Sequence, residues 1–235
     1  MAVAAGELLL GVRRSELLSG KALGKAGDHI ANTLIVDALS SARPDDTVLS
    51  EQEVKPERLL SNRVWIVDPL DGTREYGEGR TDWAVHVGFV HDGRAVAGAV
   101  ALPSRGQILS TAHAVSAACP RGRLRMLVSR TRPATEAVAV AELLDAELIP
   151  MGSAGVKAMS VLLGEGDIYL HSGGQYEWDS CAPVAVALAA GLHASRIDGS
   201  ALRYNRQNPL LPDLLICRPE LADAVLDAVR RVQLR

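Results

Sequence analysis

Aromatic side chains are scarce in this chain: one Phe, three Trp and four Tyr among 235 residues. That leaves little from which to build a base-stacking surface. Charge of one sign is missing too, since 25 basic and 28 acidic residues leave a net charge of −3, with no broad attraction to DNA or anionic lipid. No nucleic acid polymer is expected as a partner. Cysteine is limited to Cys119, Cys181 and Cys217, too few and too scattered for a disulfide framework, and no C-x-x-C pair offers zinc or redox chemistry. They read as reduced, buried thiols. The longest apolar run, Ala182 to Leu192, falls short of the roughly 18 residues a membrane span needs, and Glu7 interrupts the apolar start before a signal-like core is complete. These absences point to the cytoplasm and to no membrane. Patterns of the G-x-S-x-G, Walker A, G-x-G-x-x-G and H-E-x-x-H types are lacking, which counts against serine hydrolases, P-loop NTPases, dinucleotide enzymes and zinc peptidases. The six histidines, His29, His86, His91, His113, His171 and His193, read as surface or packed residues.

What is present is an ordinary globular composition, 48% apolar and 23% charged, in a length that suits one large domain or two packed halves. Apolar residues recur at three- and four-residue steps over Ala2 to Leu18 and again over His29 to Leu39, which predicts two amphipathic helices before any strand. Short strands are expected at Thr47 to Leu49 and Val64 to Val67, then an antiparallel meander from Trp83 to Thr111. After Pro120 strands alternate with helices, the latter over Ala134 to Leu144, Ser153 to Leu163, Asp179 to Ala190 and Pro219 to Val232. The expected division is an N-terminal α+β half, 1–119, carrying the acidic turns, and a C-terminal α/β half, 120–235, closing over them.

The chemistry concentrates in Asp68-Pro69-Leu70-Asp71-Gly72-Thr73, where two carboxylates three residues apart follow a buried strand on a stiffened turn. Such a turn can aim both at one point. A hard cation such as Mg²⁺ takes oxygen ligands and keeps several waters, so a few carboxylates and the Leu70 carbonyl suffice. Backbone N–H groups at Gly72 and Thr73 can hold phosphate oxygens. Glu51, after its own short strand, can enter the same cleft, and Asp179 can cap an apolar helix while turning a free oxygen toward a metal. Lys157 shares a helix face with Ser153 and is either a phosphate contact or a surface lysine. Arg121, Arg123, Arg125, Arg130 and Arg132 form either a solvated face or a contact for a second phosphate.

Asp68-Pro-Leu-Asp-Gly-Thr73 with the downstream Trp178-Asp179 resembles the paired signatures of the lithium-sensitive, magnesium-dependent phosphomonoesterases, which include inositol monophosphatases, fructose-1,6-bisphosphatases and 3′(2′),5′-bisphosphate nucleotidases. The likeness runs over nearly the whole chain. His171-Ser-Gly-Gly-Gln-Tyr-Glu-Trp-Asp179 and the stretch from Arg203-Tyr204-Asn205 to Pro209 are most similar to the actinobacterial nucleotidases of sulfur assimilation that act on 3′-phosphoadenosine 5′-phosphate. The resemblance implies a mixed α/β, or α+β, fold in the layered α-β-α-β-α sandwich of the sugar phosphatases. It implies two or three Mg²⁺ ions, with Glu51, Asp68 and the Leu70 carbonyl on one and Asp68, Asp71 and Asp179 on a second. Gly72 and Thr73 would bind the scissile phosphate, and Asp28 with the Thr73 hydroxyl would orient the attacking water. Gly152 and Ser153 would line the substrate side, and Tyr204 would border a nucleoside.

Two departures from the pattern stand out: Gln52 where a second glutamate is usual, and Lys25 where a threonine commonly precedes the early aspartate. The alternative for Asp28 is a cap of the helix expected from His29. The implied partner is a small phosphorylated metabolite, with a homodimer left open. Inositol monophosphate or fructose-1,6-bisphosphate is the alternative substrate, and a non-catalytic metabolite-binding protein is the alternative of another class.

Overall fold

The computed structural model describes residues 1–113 and 122–234. Cys119, Arg121 and the expected boundary between residues 119 and 120 lie outside them. Helices α1 (Ala2–Arg14) and α2 (Gly20–Ala42) come first, followed by strands β1 (Thr47–Ser50), β2 (Arg63–Asp71), β3 (Ala84–His91), β4 (Arg94–Leu102) and β5 (Gln107–Ser110) in one sheet of that order. A short helix, α3 (Thr73–Gly77), interrupts the sheet after β2. Apart from the parallel β1–β2 pair, neighbours in this sheet are antiparallel.

The second sheet runs β7 (Glu147–Met151), β6 (Arg125–Ser129), β8 (Ile168–Tyr176), β10 (Leu210–Cys217), β9 (His193–Ser195). Its helices are α4 (Thr135–Leu143), α5 (Ala154–Leu162), α6 (Glu177–Ala189) and α7 (Ala222–Gln233). Three apolar clusters glue five layers: α1 and α2 on the outer face of the first sheet, α5 and α6 between the sheets, α4 and α7 outside the second. The middle layer explains why α6 reads as a continuous apolar run, since a helix covered on two sides has no wet face. No helix among the described residues is long and apolar enough to cross a membrane.

The main departure from the expected elements is α2, which starts at Gly20 rather than near His29. Its glycines, unfavourable in an exposed helix, serve close packing instead. A Cβ on Gly24 would sit 2.8 Å from both the Thr73 backbone oxygen and its methyl group. The helix therefore lies directly on the turn that carries Asp71 and Thr73. Gly24→Ala is expected to destabilise the protein by about 1–3 kcal/mol, because backbone rather than a flexible side chain must yield; urea unfolding of the two proteins measures it.

Candidate active site

Strand β2 runs straight through the acidic turn, from Arg63 to Asp71. Its register against β3 pairs Asp68 with His86 and Asp71 with Ala84, so the ladder slips between them and a bulge forms at Pro69-Leu70. Proline, unable to donate to the ladder, favours such a break. The bulge is pinned from inside: the Leu70 amide donates to Asp68 Oδ1 at 3.1 Å, and Thr73 Oγ1 donates to the Leu70 carbonyl at 3.0 Å. Gly72, at φ +90°, then turns the chain into α3.

Asp71 is clasped by the start of α5. Ser153 Oγ at 2.5 Å, the Ala154 amide at 3.1 Å and the Gly155 amide at 2.7 Å all donate to its carboxylate. His86 Nε2 faces it at 3.2 Å. Burial alone would raise the Asp71 pKa, but the His86 charge and these donors outweigh it and hold the carboxyl down to about 2. The His86 pKa moves the other way: burial lowers it, and Asp71 and the Trp178 carbonyl more than restore it, leaving it raised.

Asp179 is not the N-cap of α6, as the sequence suggests, but sits in its first turn, where Oδ2 accepts from the Tyr176 amide at 2.7 Å. One carboxylate oxygen each from Asp68, Asp71 and Asp179 lie within 4.8 Å of one another. Glu51 stands outside this tight trio, an exposed residue off the cavity wall whose carboxyl lies against Asp68. Loss of hydration, then the charges of Asp28, Asp179 and Asp71, push Glu51 up to about 7. Burial and Asp71 raise Asp179 to about 7 as well, and burial with Glu51 raises Asp68 well above the usual carboxylate range. Crowded carboxylates that hold protons near neutrality form the oxygen-only donor set a hard divalent cation takes in exchange.

Asp28 lies inside α2, which removes the capping role considered for it. Its Oδ2 accepts from Gln52 Nε2 at 2.7 Å, while Oδ1 is buried with no partner. Gln52 thus holds one oxygen of Asp28 and leaves the other buried without a partner, and Asp28 is not on the wall of the cavity described below.

Asp71 and Asp179 lie on the wall of a cavity of about 600 Å³, with Asp68 behind them off its wall. Gly72, Thr73, Gly152, Ser153 and Lys157 line it. Several of their polar groups are engaged within the protein: the Gly152 amide on Asp82 at 2.7 Å, and Ser153 Oγ on Asp71 and the Val156 amide. Lys157 is no surface lysine; it is buried, and its Nζ donates to the carbonyls of Gly152 and Ser153 at 3.2 and 2.5 Å. Tyr204 departs from its expected place. It is 3% exposed, packed in the central core with its hydroxyl 3.3 Å from Ser180 Oγ, and is not on the cavity wall.

Of the arginine run, Arg123 pairs with Asp145, Arg125 with Asp167, and Arg130 with Glu75 and Glu78. Arg132 and Arg74 line the cavity and, among the described residues, have no side-chain partner. His171 lines it too, and its pKa is lowered by burial and by the charges of Lys157 and Arg132. One end of the cavity is therefore acidic and its rim cationic. Sequence reasoning missed His86, whose cross-strand position opposite Asp68 becomes visible only once the β2–β3 register is known.

Comparison with known proteins agrees with this geometry. The profile of the inositol monophosphatase family matches residues 2–234. The 3′-phosphoadenosine 5′-phosphate phosphatase of Mycobacterium leprae (strain TN) is 49% identical over 99% of this chain and 92% of its own. The 3′(2′),5′-bisphosphate nucleotidase CysQ of Escherichia coli (strain K12) is 30% identical over 79% and 81%. The solved Thermotoga maritima IMPase superposes with a TM-score of 0.78 over 98% of this chain and 94% of that one, at 19% identity.

Proposed function

Because the chain belongs to the inositol monophosphatase family, a family of phosphomonoesterases, we propose that it removes the 3′-phosphate of 3′-phosphoadenosine 5′-phosphate, giving AMP and phosphate in the cytoplasm. The observation that carries the reading is a tight trio of carboxylates, Asp68 and Asp71 buried and Asp179 half-buried, two of which line a cavity that also holds two arginines without a side-chain partner among the described residues. In this reading Glu51, Asp68 and the Leu70 carbonyl hold one Mg²⁺ and Asp68, Asp71 and Asp179 a second, with Gln52 in place of a further acidic ligand. The Leu70 carbonyl already accepts from Thr73 and keeps a second lone pair for this. Bound Mg²⁺ supplies charge neutralisation for the phosphate dianion and lowers the pKa of water.

The chain's own groups do the rest. Backbone N–H groups of Gly72 and Thr73 hold the scissile phosphate. Asp28 Oδ1, buried and unpartnered, accepts the proton of the attacking water, and the Thr73 hydroxyl helps to orient the oxygen. The water oxygen forms the new P–O bond as the bond from phosphorus to the 3′-oxygen breaks, the 3′-oxygen leaves as the hydroxyl of AMP with a proton taken from solvent water, and no phosphoenzyme forms. Lys157 keeps the Gly152-Ser153 turn in place from beneath, and Arg132 and Arg74 receive the 5′-phosphate.

Phosphate release in Mg²⁺ from 3′-phosphoadenosine 5′-phosphate, inositol 1-phosphate and fructose 1,6-bisphosphate tests this. The nucleotide is expected to be preferred; preference for a sugar phosphate overturns the nucleotidase reading, and no release from any of them leaves a binding protein. With the nucleotide, Arg132→Ala is expected to raise KM about tenfold with kcat nearly unchanged, the pattern of a lost charge-assisted contact remote from the reacting bond.

A further inference from the structure

His86 has no part in the chemistry above, yet it lies between the elements that carry the acids. In the antiparallel β2–β3 ladder it stands directly opposite Asp68, and opposed residues of such a pair point to the same face. The ring is fully buried. Its Nδ1 lies 3.1 Å from the carbonyl of Trp178, which can only accept, so the ring donates there. Its Nε2 lies 3.2 Å from Asp71 Oδ2. Trp178 immediately precedes Asp179, so one rigid ring spans the bulged turn that bears Asp71 and the first turn of α6 that bears Asp179.

The ring is also confined. A Cβ on Gly155 would come within 2.0 Å of Nε2, which shows how closely the α5 backbone walls that edge. An imidazole used only as filler gains nothing from two polar nitrogens in a dry interior, where each unmatched one costs stability. Here Nδ1 is hydrogen-bonded to one element, while Nε2, without a hydrogen bond, stands 3.2 Å from a carboxylate on another, and both elements carry a carboxylate of the trio.

We propose that His86 is a positioning residue that sets the separation of the Asp71 and Asp179 carboxylates, and so the affinity of the site for a divalent cation. The inference rests on the metal-site reading above, and its test is read without substrate. The amide nitrogen of glutamine can stand where Nε2 is, and that of asparagine where Nδ1 is. His86→Gln therefore keeps a polar nitrogen beside Asp71, whereas His86→Asn keeps one beside the Trp178 carbonyl alone.

Calorimetric titration of each metal-free protein with Mg²⁺ is expected to give an affinity for His86→Gln within about threefold of the parent. For His86→Asn a loss of about ten- to a hundredfold is expected, the range seen when a partner of a metal ligand is removed. Metal-free unfolding midpoints of the two variants are expected to be alike. Should the asparagine protein not fold, His86→Ser, equally unable to reach Asp71, takes its place. Equal affinity in all three proteins, equal loss in both variants, or a loss that follows the unfolding midpoints overturns the proposal and makes His86 a packing residue. A parent protein that binds no Mg²⁺ overturns the metal-site reading itself.

Discussion

Asp71→Asn is expected to lower kcat for phosphate release at least about a hundredfold, the scale of removing a principal electrostatic group from an active site. The substitution is isosteric, so the loss comes from charge and from hydrogen bonding. Every hydrogen-bond partner of the Asp71 carboxylate is a donor: Ser153 Oγ and the Gly155 amide on Oδ2, and the Ala154 amide on Oδ1. An asparagine can offer its oxygen to only one side. On the other its NH₂ meets a buried N–H, leaving donors unmatched at a cost of about 1–3 kcal/mol. The His86 ring loses its counter-charge as well. Turnover at saturating Mg²⁺, read beside the unfolding midpoint, separates the two effects, because lost stability that leaves the protein folded at assay temperature does not lower kcat. Turnover within tenfold of the parent removes Asp71 from the reacting site. A parent protein with no turnover to lose favours the binding-protein alternative.

The parts of this site that were readable in advance are those in which the chemistry is written locally. Asp68 to Thr73 specify a bulge and a turn with their own side chains, through the Asp68 to Leu70 and Thr73 to Leu70 hydrogen bonds, and need no distant partner to do so. The five-layer arrangement followed from the resemblance, not from periodicity. Where reading failed, a contact between remote segments decided the outcome. Gly24 and Gly27 lower helix propensity, and only their close contacts with Thr73 and Tyr76 show why the helix tolerates them, so the start of α2 and the setting of Asp28 lay outside the periodic pattern. Lys157 has the spacing of a surface lysine, but its Nζ turns back onto the carbonyls of its own helix start over the Tyr169 ring. Tyr204, placed by resemblance beside the substrate, instead completes the core beneath α6 through Ser180. His86 carried no local signal, since its partners are Asp71 and Trp178, the latter far along the chain.

Mg²⁺ affinity is expected to fall steeply as pH drops below about 7. Glu51 and Asp179 are both raised to about 7, so below that pH a cation must displace a proton from each. Each displaced proton contributes up to about tenfold per pH unit, so between pH 7.5 and 6 the loss reaches about ten- to a hundredfold. The metal-free protein shows the same groups as a stability effect. A carboxyl whose folded pKa is raised is still protonated in the native state after it has ionised in the unfolded chain, so the unfolded state binds fewer protons and stability falls with rising pH. The window opens at the ordinary carboxylate range and closes near 7 for Glu51 and Asp179. The raised His86 acts in the same direction, its contribution being complete below its ordinary value and lost as pH passes the folded one. Asp71, held near 2, acts the opposite way, but its stabilising contribution is already complete by about pH 5 and does not enter this window. The metal-free unfolding midpoint is therefore expected to decline from pH 5 to 7.5 while the Mg²⁺-induced rise in that midpoint grows. Titrations in buffers of different ionisation enthalpy count the released protons directly. An affinity that stays flat from pH 6 to 8 means that no carboxyl of the cleft gives up a proton to the ion, and the cation then binds somewhere other than among Glu51, Asp68, Asp71 and Asp179.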